Sequence, residues 1–363
     1  MKILLAGGGS GGPVSPLLAV AAEVKKVQPR TQFLFVGTKT GPERQMVTLA
    51  GFNFESIPGA KWRRYFSLKN ILSPFVFCAG LIKSFFIIGR FRPNVVFSAG
   101  GYVAVPLSWI GKLFGAKIII HQQDARVGLA NKLIALTANN ITTSFEYTTK
   151  MFYSGSGLIS GKLKNRAQWV GNPVRPELLS SKIDPKKYFN LHSDLPVLLI
   201  LGGATGSVQI NKLIEEILRD LVNSYQVVHQ TGKGKNLAKF QHSNYHPFEL
   251  IEYEAYAAIL KSALLVVARA GLSTITELSM LGKPSIIIPM PGTHQEDNAT
   301  ILTATNSAEV LSGKAVTGRN LLKVINQLKF DPESLGILSH NIKLIMPHDG
   351  AAKISKIILS YDK

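Results

Sequence analysis

A glycine-rich hexapeptide near the amino terminus is the first segment whose residue types could do chemistry. Gly7-Gly8-Gly9-Ser10-Gly11-Gly12 follows a short apolar run and precedes a helical pattern with Pro16 near its first turn. Backbone N–H groups at such a helix start favour a phosphate or diphosphate. The segment also matches G-x-G-x-x-G, but residues 27–40 contain no carboxylate to hold the ribose of a dinucleotide. The residues therefore predict an anion site rather than an NAD site, with a plain tight turn as the alternative.

A second unit of strand, glycine loop and helix begins midway along the chain. The apolar run Val197–Leu201 leads into Gly202-Gly203-Ala204-Thr205-Gly206, and an amphipathic helix pattern follows over 208–222. Strand-like runs alternate with helix-length segments throughout the chain. This alternation predicts an α/β protein of two tandem doubly wound domains, each with a parallel sheet flanked by helices.

The boundary between these domains is expected where two prolines interrupt the pattern, within Gly171-Asn172-Pro173-Val174-Arg175-Pro176. This gives a first domain over 1–173 and a second over 176–347. The last helical segment, 348–363, has no strand of its own, so we expect it to pack back on the first domain.

The two halves of the chain differ strongly in charge. Residues 1–175 contain 22 basic and 5 acidic side chains, whereas the remainder contains 19 basic and 17 acidic ones. This asymmetry indicates an anionic partner for the first half, either a nucleic acid, an acidic membrane surface or an anionic substrate.

Cysteine and metal-ligand patterns exclude other classes of protein. The single cysteine, Cys78, rules out a disulfide framework and a Cys-rich zinc site and fits a reducing compartment. Neither D-x-D nor H-E-x-x-H occurs, so we expect no metal and no other cofactor. Only four apolar residues precede the first glycine loop, too few for a signal-peptide core. The expected location is the cytoplasmic face of the cell membrane, with peripheral attachment.

The segment 61–92 suits a membrane surface. It interleaves seven basic with eight aromatic residues and has no acidic one. Trp and Tyr anchor at the interface, and each cation near anionic lipid contributes about 1 kcal/mol. The apolar stretch between Asn70 and Lys83, broken by Pro74, is too short to span a bilayer, so we expect it to lie in the interface. The expected contacts are Trp62, Arg63, Arg64, Tyr65, Phe66, Phe75, Phe77 and Lys83.

Two alternatives compete for this segment, a buried core helix with a basic rim and a site for single-stranded nucleic acid. Recognised RNA-binding signatures are missing, so we expect a membrane partner and no nucleic acid.

Seven ordered motifs along the chain resemble those of glycosyltransferase family 28, the lipid-linked N-acetylglucosaminyltransferases of peptidoglycan synthesis. They are the first glycine loop with Pro16 and Leu18–Ala21, Ala99–Val103, His121–Asp124 with Gly128–Asn131, Gly171–Arg175, Gly202–Gly206, His229–Lys233, and Arg269–Glu277 with His294–Ala299. The resemblance implies the GT-B fold, in which two Rossmann-like domains face a central cleft.

The resemblance also implies the reaction and its partners. The enzyme would transfer GlcNAc, with inversion and without a metal, from UDP-GlcNAc to the MurNAc 4-hydroxyl of undecaprenyl-diphospho-MurNAc-pentapeptide (lipid I), giving lipid II. The acceptor lipid would bind the first domain and UDP-GlcNAc mainly the second.

Contacts to the donor follow from the same resemblance. Glu277 would accept hydrogen bonds from the ribose hydroxyls, His294-Gln295 would contact the sugar, and Tyr253 with Tyr256 would cradle the uracil. The full expected set is Ser10, Gly11, Gly12, Asp124, Arg175, Ala204, Thr205, Gly206, Tyr253, Gly271, Leu272, Ser273, Glu277, His294, Gln295 and Asn298. Plain structural explanations remain open, such as a first-turn glutamate complementing the helix dipole.

Contacts to the acceptor diphosphate are expected at Gly9, Ser10, Gly11, Tyr102 and Asn131. The chain departs from the family here, because Pro13 stands where the family has a histidine and Gln122-Gln123-Asp124 replaces Glu-Gln-Asn. Since proline cannot take a proton, Asp124 is the hypothetical catalytic base, and His121 positions the acceptor. These two roles could be reversed.

Other functions remain open at this stage. One is a different GT-B transferase with a diacylglycerol or polyprenyl acceptor, or a UDP-sugar epimerase. Another is a catalytically impaired paralogue that binds UDP-sugar and membrane as a regulatory partner.

Overall fold

A computed structural model of the 363-residue chain describes residues 1–8, 12–41, 43–59, 69–154, 166–192, 194–203, 205–235 and 240–362. The side chains of 69–72 and 153–154 also lie outside the description. The chain forms two compact units, Met1–Arg175 with Met346–Lys363, and Pro176–Ile345. The sequence places the boundary between residues 173 and 176, and the structure places it between Arg175 and Pro176.

The described part of the first unit contains a seven-stranded parallel sheet with the order β3-β2-β1-β4-β5-β6-β7. Its strands are β1 (Lys2–Ala6), β2 (Gln32–Gly37), β3 (Asn53–Ser56), β4 (Val95–Ser98), β5 (Lys117–Gln122), β6 (Asn140–Thr143) and β7 (Ala167–Trp169). The order reverses between β1 and β4. Ligands of open α/β sheets bind outside the carboxyl ends of strands at such a reversal. The first glycine loop leaves β1 at this point.

Helices cover both faces of this sheet, because successive strand residues point to opposite sides. Ile3 and Leu5 belong to one core, and Leu4 and Ala6 to the other. The helices are α1 (Val14–Val27), α2 (Glu43–Leu49), α3 (Lys69–Phe91), α4 (Ala104–Leu113), α5 (Leu129–Ala135) and α6 (Glu146–Ser154).

The described part of the second unit repeats the design with six parallel strands in the order β10-β9-β8-β11-β12-β13. The strands are β8 (Val197–Leu201), β9 (Gln226–Gln230), β10 (Tyr245–Phe248), β11 (Leu265–Ala268), β12 (Ser285–Ile287) and β13 (Glu309–Val310). The order reverses between β8 and β11, so the second glycine loop and Arg269 both follow strands at the reversal.

The described part of the second unit has eight α-helices, several of which begin at a side-chain cap. They are α7 (Glu177–Ser180), α8 (Pro185–Tyr188), α9 (Val208–Leu221), α10 (Tyr253–Ser262), α11 (Leu272–Leu281), α12 (His294–Ala304), α13 (Gly318–Lys329) and α14 (Pro332–Leu344), with a 3₁₀ turn at Gly313–Ala315. Ser207 caps α9 by accepting from the Ile210 N–H at 3.2 Å, and Thr293 caps α12.

The carboxyl-terminal helix α15 (Gly350–Leu359) belongs to the first unit. Its buried residues Ile354 and Ile358 join the core formed around α1. Gly350 approaches residue 171 so closely that a Cβ would lie 2.9 Å from the Gly171 carbonyl oxygen. This crossing therefore requires glycine.

Helix α3 corrects the prediction that Pro74 interrupts the apolar stretch. The helix runs unbroken from Lys69 to Phe91 with Pro74 as its sixth residue, so the proline removes one hydrogen bond near the amino-terminal end without ending the helix. Within the described ranges, Ser73–Phe91 is the one helical segment whose length and composition would allow it to cross a membrane. Its inner face is buried at Ser84 and Ile88, so one side packs within the unit.

Candidate nucleotide and acceptor sites

Glu277 lies in the second turn of α11, with its side chain 8% exposed. Its carboxylate accepts a hydrogen bond from the Tyr256 hydroxyl at 2.6 Å (Oε2) and from the Tyr253 hydroxyl at 3.0 Å (Oε1). Because a carboxylate has about four acceptor positions, these bonds are compatible with further donors such as two ribose hydroxyls. The tyrosines thus contact the carboxylate itself, a partnership the sequence did not predict.

The amino terminus of α11 is suited to an anion. Gly271 caps the helix in an extended conformation, and a Cβ there would meet nothing within 4 Å. The helix has no acidic residue in its first turn, so the backbone N–H groups of Leu272 and Ser273 carry the positive end of the helix dipole. This start is open and electropositive, as a diphosphate requires.

The second glycine loop needs its glycines. Gly203 and Gly206 have φ of 82° and 71°, and a Cβ on Gly202 would lie 2.4 Å from the Ser207 nitrogen. The carbonyl oxygen of Thr205 accepts from Lys235 Nζ at 2.7 Å. Ala204, predicted to contact the donor, lies outside the described residues.

Arg269 joins this loop to α12. Its Nη1 donates to Ser207 Oγ at 2.7 Å and its Nε to Gln295 Oε1 at 3.4 Å, and burial lowers its pKa. The same Gln295 oxygen accepts from the Met290 N–H at 3.0 Å. With its oxygen held by two donors, the Gln295 amide can present its NH₂ group to a sugar oxygen.

His294 and Asn298, both predicted to contact the sugar nucleotide, lie on α12 on either side of Gln295 and differ in burial. His294 is exposed at the first turn of α12. Asn298 is fully buried and its Nδ2 donates to the Ala270 carbonyl at 3.1 Å, which corrects its assignment as a direct ligand contact. It supports the loop before α11 instead. Arg175 is half-buried at the end of the first unit's main segment.

The HQTGK motif has a structural role in the second unit. His229 is fully buried, with Nδ1 3.1 Å from the Tyr245 hydroxyl and Nε2 3.2 Å from Asn211 Oδ1. Burial lowers its pKa to about 4, so the ring is neutral. Asn211 in turn donates to the Thr231 carbonyl at 3.0 Å, which anchors the loop against α9.

The first glycine loop is described only at its ends. Gly9, Ser10 and Gly11, predicted to hold the acceptor diphosphate, lie outside the described residues, as do the predicted membrane contacts Trp62, Arg63, Arg64, Tyr65 and Phe66. Gly7 and Gly8 follow β1, Gly12 is half-buried, and Pro13 occupies the cap position of α1.

A buried carboxylate that the sequence analysis did not single out lies beside this loop. Glu43 is fully buried and accepts from the N–H of Thr38 at 2.7 Å and from its hydroxyl. A Cβ on Gly8 would lie 2.5 Å from Glu43 Oε1. Burial and, secondarily, the Glu43 charge raise the pKa of Tyr102, which places that predicted acceptor residue in the same environment.

The loop after β4 packs directly on the first glycine loop. Gly100 and Gly101 have φ of 98° and 94°, and a Cβ on Gly101 would lie 2.9 Å from the Gly8 carbonyl oxygen. Asn131 lies alongside, donating to Gln122 Oε1 at 2.7 Å. Its own Oδ1 is buried and has no hydrogen-bond partner in the described structure.

His121 corrects the catalytic assignment made from the sequence. The ring is fully buried on β5, with Nδ1 3.0 Å from Thr142 Oγ1 and Nε2 2.9 Å from Asn172 Oδ1. Burial lowers its pKa to about 4, and the hydrogen bond with Asn172 offsets that only in part. A neutral ring with both nitrogens engaged and no exposed surface holds the sheet together and cannot touch an acceptor.

Asp124 is the predicted catalytic residue that stays accessible. It is half-buried in the loop after β5, at the carboxyl edge of the sheet. The Gln122 amide shapes this loop by donating to the carbonyl oxygens of Asp124 at 2.8 Å and Arg126 at 3.0 Å. A glutamate, which the family has at position 122, could not donate these two hydrogen bonds. Gln122 therefore stabilises the loop in a way that the family's residue cannot.

The predicted membrane residues on α3 divide between its two faces. Phe75 is 73% exposed and Lys83 is exposed, whereas Phe77 packs edge-on against Trp109 at 5.8 Å between ring centroids. Phe77 is therefore a packing residue and not a surface anchor. Clusters of three or more His, Cys, Asp or Glu side chains able to hold a metal are not found in the described ranges.

Comparison with known proteins identifies the family. Residues 3–143 match the N-terminal domain of glycosyltransferase family 28, and residues 197–351 match its C-terminal domain. A relative from Thermoanaerobacter sp. (strain X514), named UDP-N-acetylglucosamine--N-acetylmuramyl-(pentapeptide) pyrophosphoryl-undecaprenol N-acetylglucosamine transferase, is 33% identical over 371 residues, covering 99% of this chain and all of that protein.

Solved structures show the same fold. The crystal structure of MurG from Acinetobacter baumannii has a TM-score of 0.73 at 22% identity and covers 99% of both chains. A putative UDP-N-acetylglucosamine 2-epimerase from Listeria monocytogenes has a TM-score of 0.72 at 12% identity, covering 99% of this chain and 96% of the other. The fold alone is thus shared by transferases and epimerases, and the full-length sequence match decides between them. The chain belongs to the MurG branch of glycosyltransferase family 28.

Proposed function

We propose that this protein transfers GlcNAc from UDP-GlcNAc to the MurNAc 4-hydroxyl of lipid I, forming lipid II in peptidoglycan synthesis. The relative from Thermoanaerobacter is named for this reaction and aligns with the whole chain. The observation that carries the proposal is the Glu277 carboxylate on α11, whose amino terminus is open at Gly271. A carboxylate able to accept from ribose hydroxyls, five residues after the start of a helix whose N–H groups favour an anion, supports binding of a nucleoside diphosphate here.

The donor site also serves the leaving group. When the acceptor hydroxyl attacks the anomeric carbon, the bond from that carbon to the diphosphate oxygen breaks and UDP leaves as an anion. The first-turn N–H groups of α11 stabilise the charge that develops on the diphosphate. These donors need no metal, so we propose metal-independent transfer.

Proton removal from the acceptor is assigned to Asp124. With His121 buried and neutral, Asp124 is the side chain of the predicted pair that a ligand can reach. Direct attack by the hydroxyl with Asp124 as base inverts the anomeric centre.

We further propose that the protein binds the cytoplasmic face of the membrane through an apolar surface on α3 and the end of α4. This membrane face consists of Phe75, Ile82, Phe85, Phe86, Leu113 and Phe114, all exposed. Phe85 and Phe114 touch at 5.2 Å between ring centroids, so the two helices form one continuous patch. Exposed Lys83 and Lys112 add positive charge beside it. Since the other side of α3 is packed, the helix would lie along the interface.

The reaction is tested by following UDP release from UDP-GlcNAc with and without a soluble lipid I analogue. We expect release only with the analogue, and none with diacylglycerol. Glu277→Ala should abolish the activity at sub-saturating donor, whereas Glu333→Ala, at an exposed first-turn position of α14, should retain it. Conversion of UDP-GlcNAc without an acceptor would indicate an epimerase. UDP-GlcNAc binding without turnover on any acceptor would indicate an impaired paralogue.

A further inference from the structure

Tyr253 and Tyr256 present their rings from the same face of α10. They are the first and fourth residues of that helix, a spacing at which side chains are neighbours. Their rings stack at 5.8 Å between centroids with 24° between planes. Tyr256 is buried and Tyr253 is half-buried.

Both hydroxyls reach the same carboxylate. The Tyr256 hydroxyl donates to Glu277 Oε2 at 2.6 Å, and the Tyr253 hydroxyl donates to Oε1 at 3.0 Å. A phenol hydroxyl donating to each oxygen restrains the position of the carboxylate and its rotation about the last side-chain bond. Hydrogen bonds to an ionised acceptor are the stronger ones, so this arrangement holds without a ligand.

We propose that this tyrosine pair is a positioning device for the ribose. The two phenols orient the Glu277 carboxylate so that its remaining acceptor positions meet the 2′- and 3′-hydroxyls together. The inference rests on the proposed function, in which Glu277 binds the ribose of UDP. A carboxylate oriented in advance loses less freedom when the nucleotide binds, which strengthens binding without a direct contact from either tyrosine hydroxyl to the ligand.

A purely structural role would give a different result. If the phenols only packed α10 against α11, their removal would lower stability or weaken all nucleotides equally. A positioning role changes how strongly the protein distinguishes a ribose from a 2′-deoxyribose. The ratio of the two affinities therefore separates the explanations.

The experiment measures binding of UDP and of 2′-deoxy-UDP to the full-length protein by titration calorimetry. The two variants that each remove one phenol hydroxyl, Tyr253→Phe and Tyr256→Phe, are called the clamp variants. Tyr188→Phe on α8 is an exposed control. The wild type should prefer UDP by about tenfold or more, since the lost hydrogen bond goes to a charged group. Each clamp variant should weaken UDP by roughly threefold to tenfold while reducing that preference, and the control should change neither value.

Steady-state kinetics add a second readout. Because the pair acts on donor binding, the clamp variants should raise KM for UDP-GlcNAc more than they lower kcat. Thermal unfolding confirms that each variant is folded, and if Tyr256→Phe is not, the half-buried Tyr253→Phe carries the test.

The outcomes separate the two proposals. An unchanged UDP-to-deoxy-UDP preference in folded clamp variants overturns the positioning role and leaves the proposed function intact. A wild-type protein that does not bind UDP, or does not prefer it to 2′-deoxy-UDP, overturns the ribose-binding role of Glu277 itself.

Discussion

Acidification should destabilise both units of the protein through one buried histidine in each. Burial holds the pKa of His121 and of His229 at about 4, against 6.5 for an exposed ring. Below pH 6.5 the unfolded chain takes up a proton at each site and the folded chain does not, so stability falls as the pH drops from about 7 towards 4. With those pKa values, each histidine lowers the free energy of unfolding by about 2 kcal/mol at pH 5 relative to pH 8.

The two units can be monitored separately. All three tryptophans, Trp62, Trp109 and Trp169, belong to the first unit, so their fluorescence reports its unfolding, while circular dichroism reports both units. Urea titrations at pH 8 and pH 5 give the free energies, provided the m-value stays constant. His121→Gln should be less stable than the wild type at pH 8 because Thr142 and Asn172 lose partners. The decrease in its free energy of unfolding from pH 8 to pH 5, measured by fluorescence, should be about 2 kcal/mol smaller than that of the wild type.

Two controls sharpen the result. His229→Gln should reduce the acid loss in the circular dichroism transition and leave the tryptophan transition unchanged. His192→Gln, at an exposed position, should have no effect on either. If His121→Gln shows the same acid loss as the wild type, the buried neutral ring is refuted, and the catalytic assignment of His121 from the sequence returns.

Three further predictions concern the reaction and the membrane. Asp124→Asn should lower kcat by about 10²–10⁴ with UDP affinity unchanged, while the exposed Asp220→Asn keeps full turnover; normal turnover of Asp124→Asn would remove Asp124 as the base. Phe86→Glu should weaken binding to anionic vesicles by tenfold or more, given about 1.5–3 kcal/mol for a buried aromatic ring. Phe330→Glu, equally exposed on the second unit, is its control, and equal vesicle binding by both variants would contradict the membrane face. EDTA should leave turnover unchanged, and a loss restored by Mg²⁺ would show that transfer needs a metal.

The arrangement of strands and loops was largely predictable from the sequence. Apolar runs such as Val197–Leu201 alternate with amphipathic patterns, and parallel sheets with covered faces follow from that alternation. Glycine loops after β1 and β8 mark the strands where each sheet order reverses. Both features are local in the chain, which is why composition and spacing reveal them.

Features that depend on distant partners were not predictable in the same way. A histidine at position 121 is compatible with a catalytic base and with a buried structural ring. Its hydrogen bonds with Thr142 and Asn172, which lie far along the chain, identify it as the buried ring. The burial of Glu43 beside Gly8 likewise depends on how α2 packs. The position of Glu43 directly after Gly41 and Pro42, in the first turn of a helical segment, was the one local signal in the sequence.

The predicted interruption of α3 at Pro74 failed for a local reason. A proline removes the hydrogen bond that its N–H would donate four residues back, which for Pro74 is a single bond to the Asn70 carbonyl near the amino-terminal end of the helix. The position of the helix start, and not the proline itself, decides the outcome, and sequence patterns locate helix ends least well.

The structure of the protein in complex with UDP tests the central claim most directly. We expect both ribose hydroxyls within roughly 2.6–3.2 Å of the Glu277 carboxylate and the diphosphate at the first turn of α11. A nucleotide bound with its ribose away from Glu277, or with its diphosphate elsewhere on the chain, would contradict it.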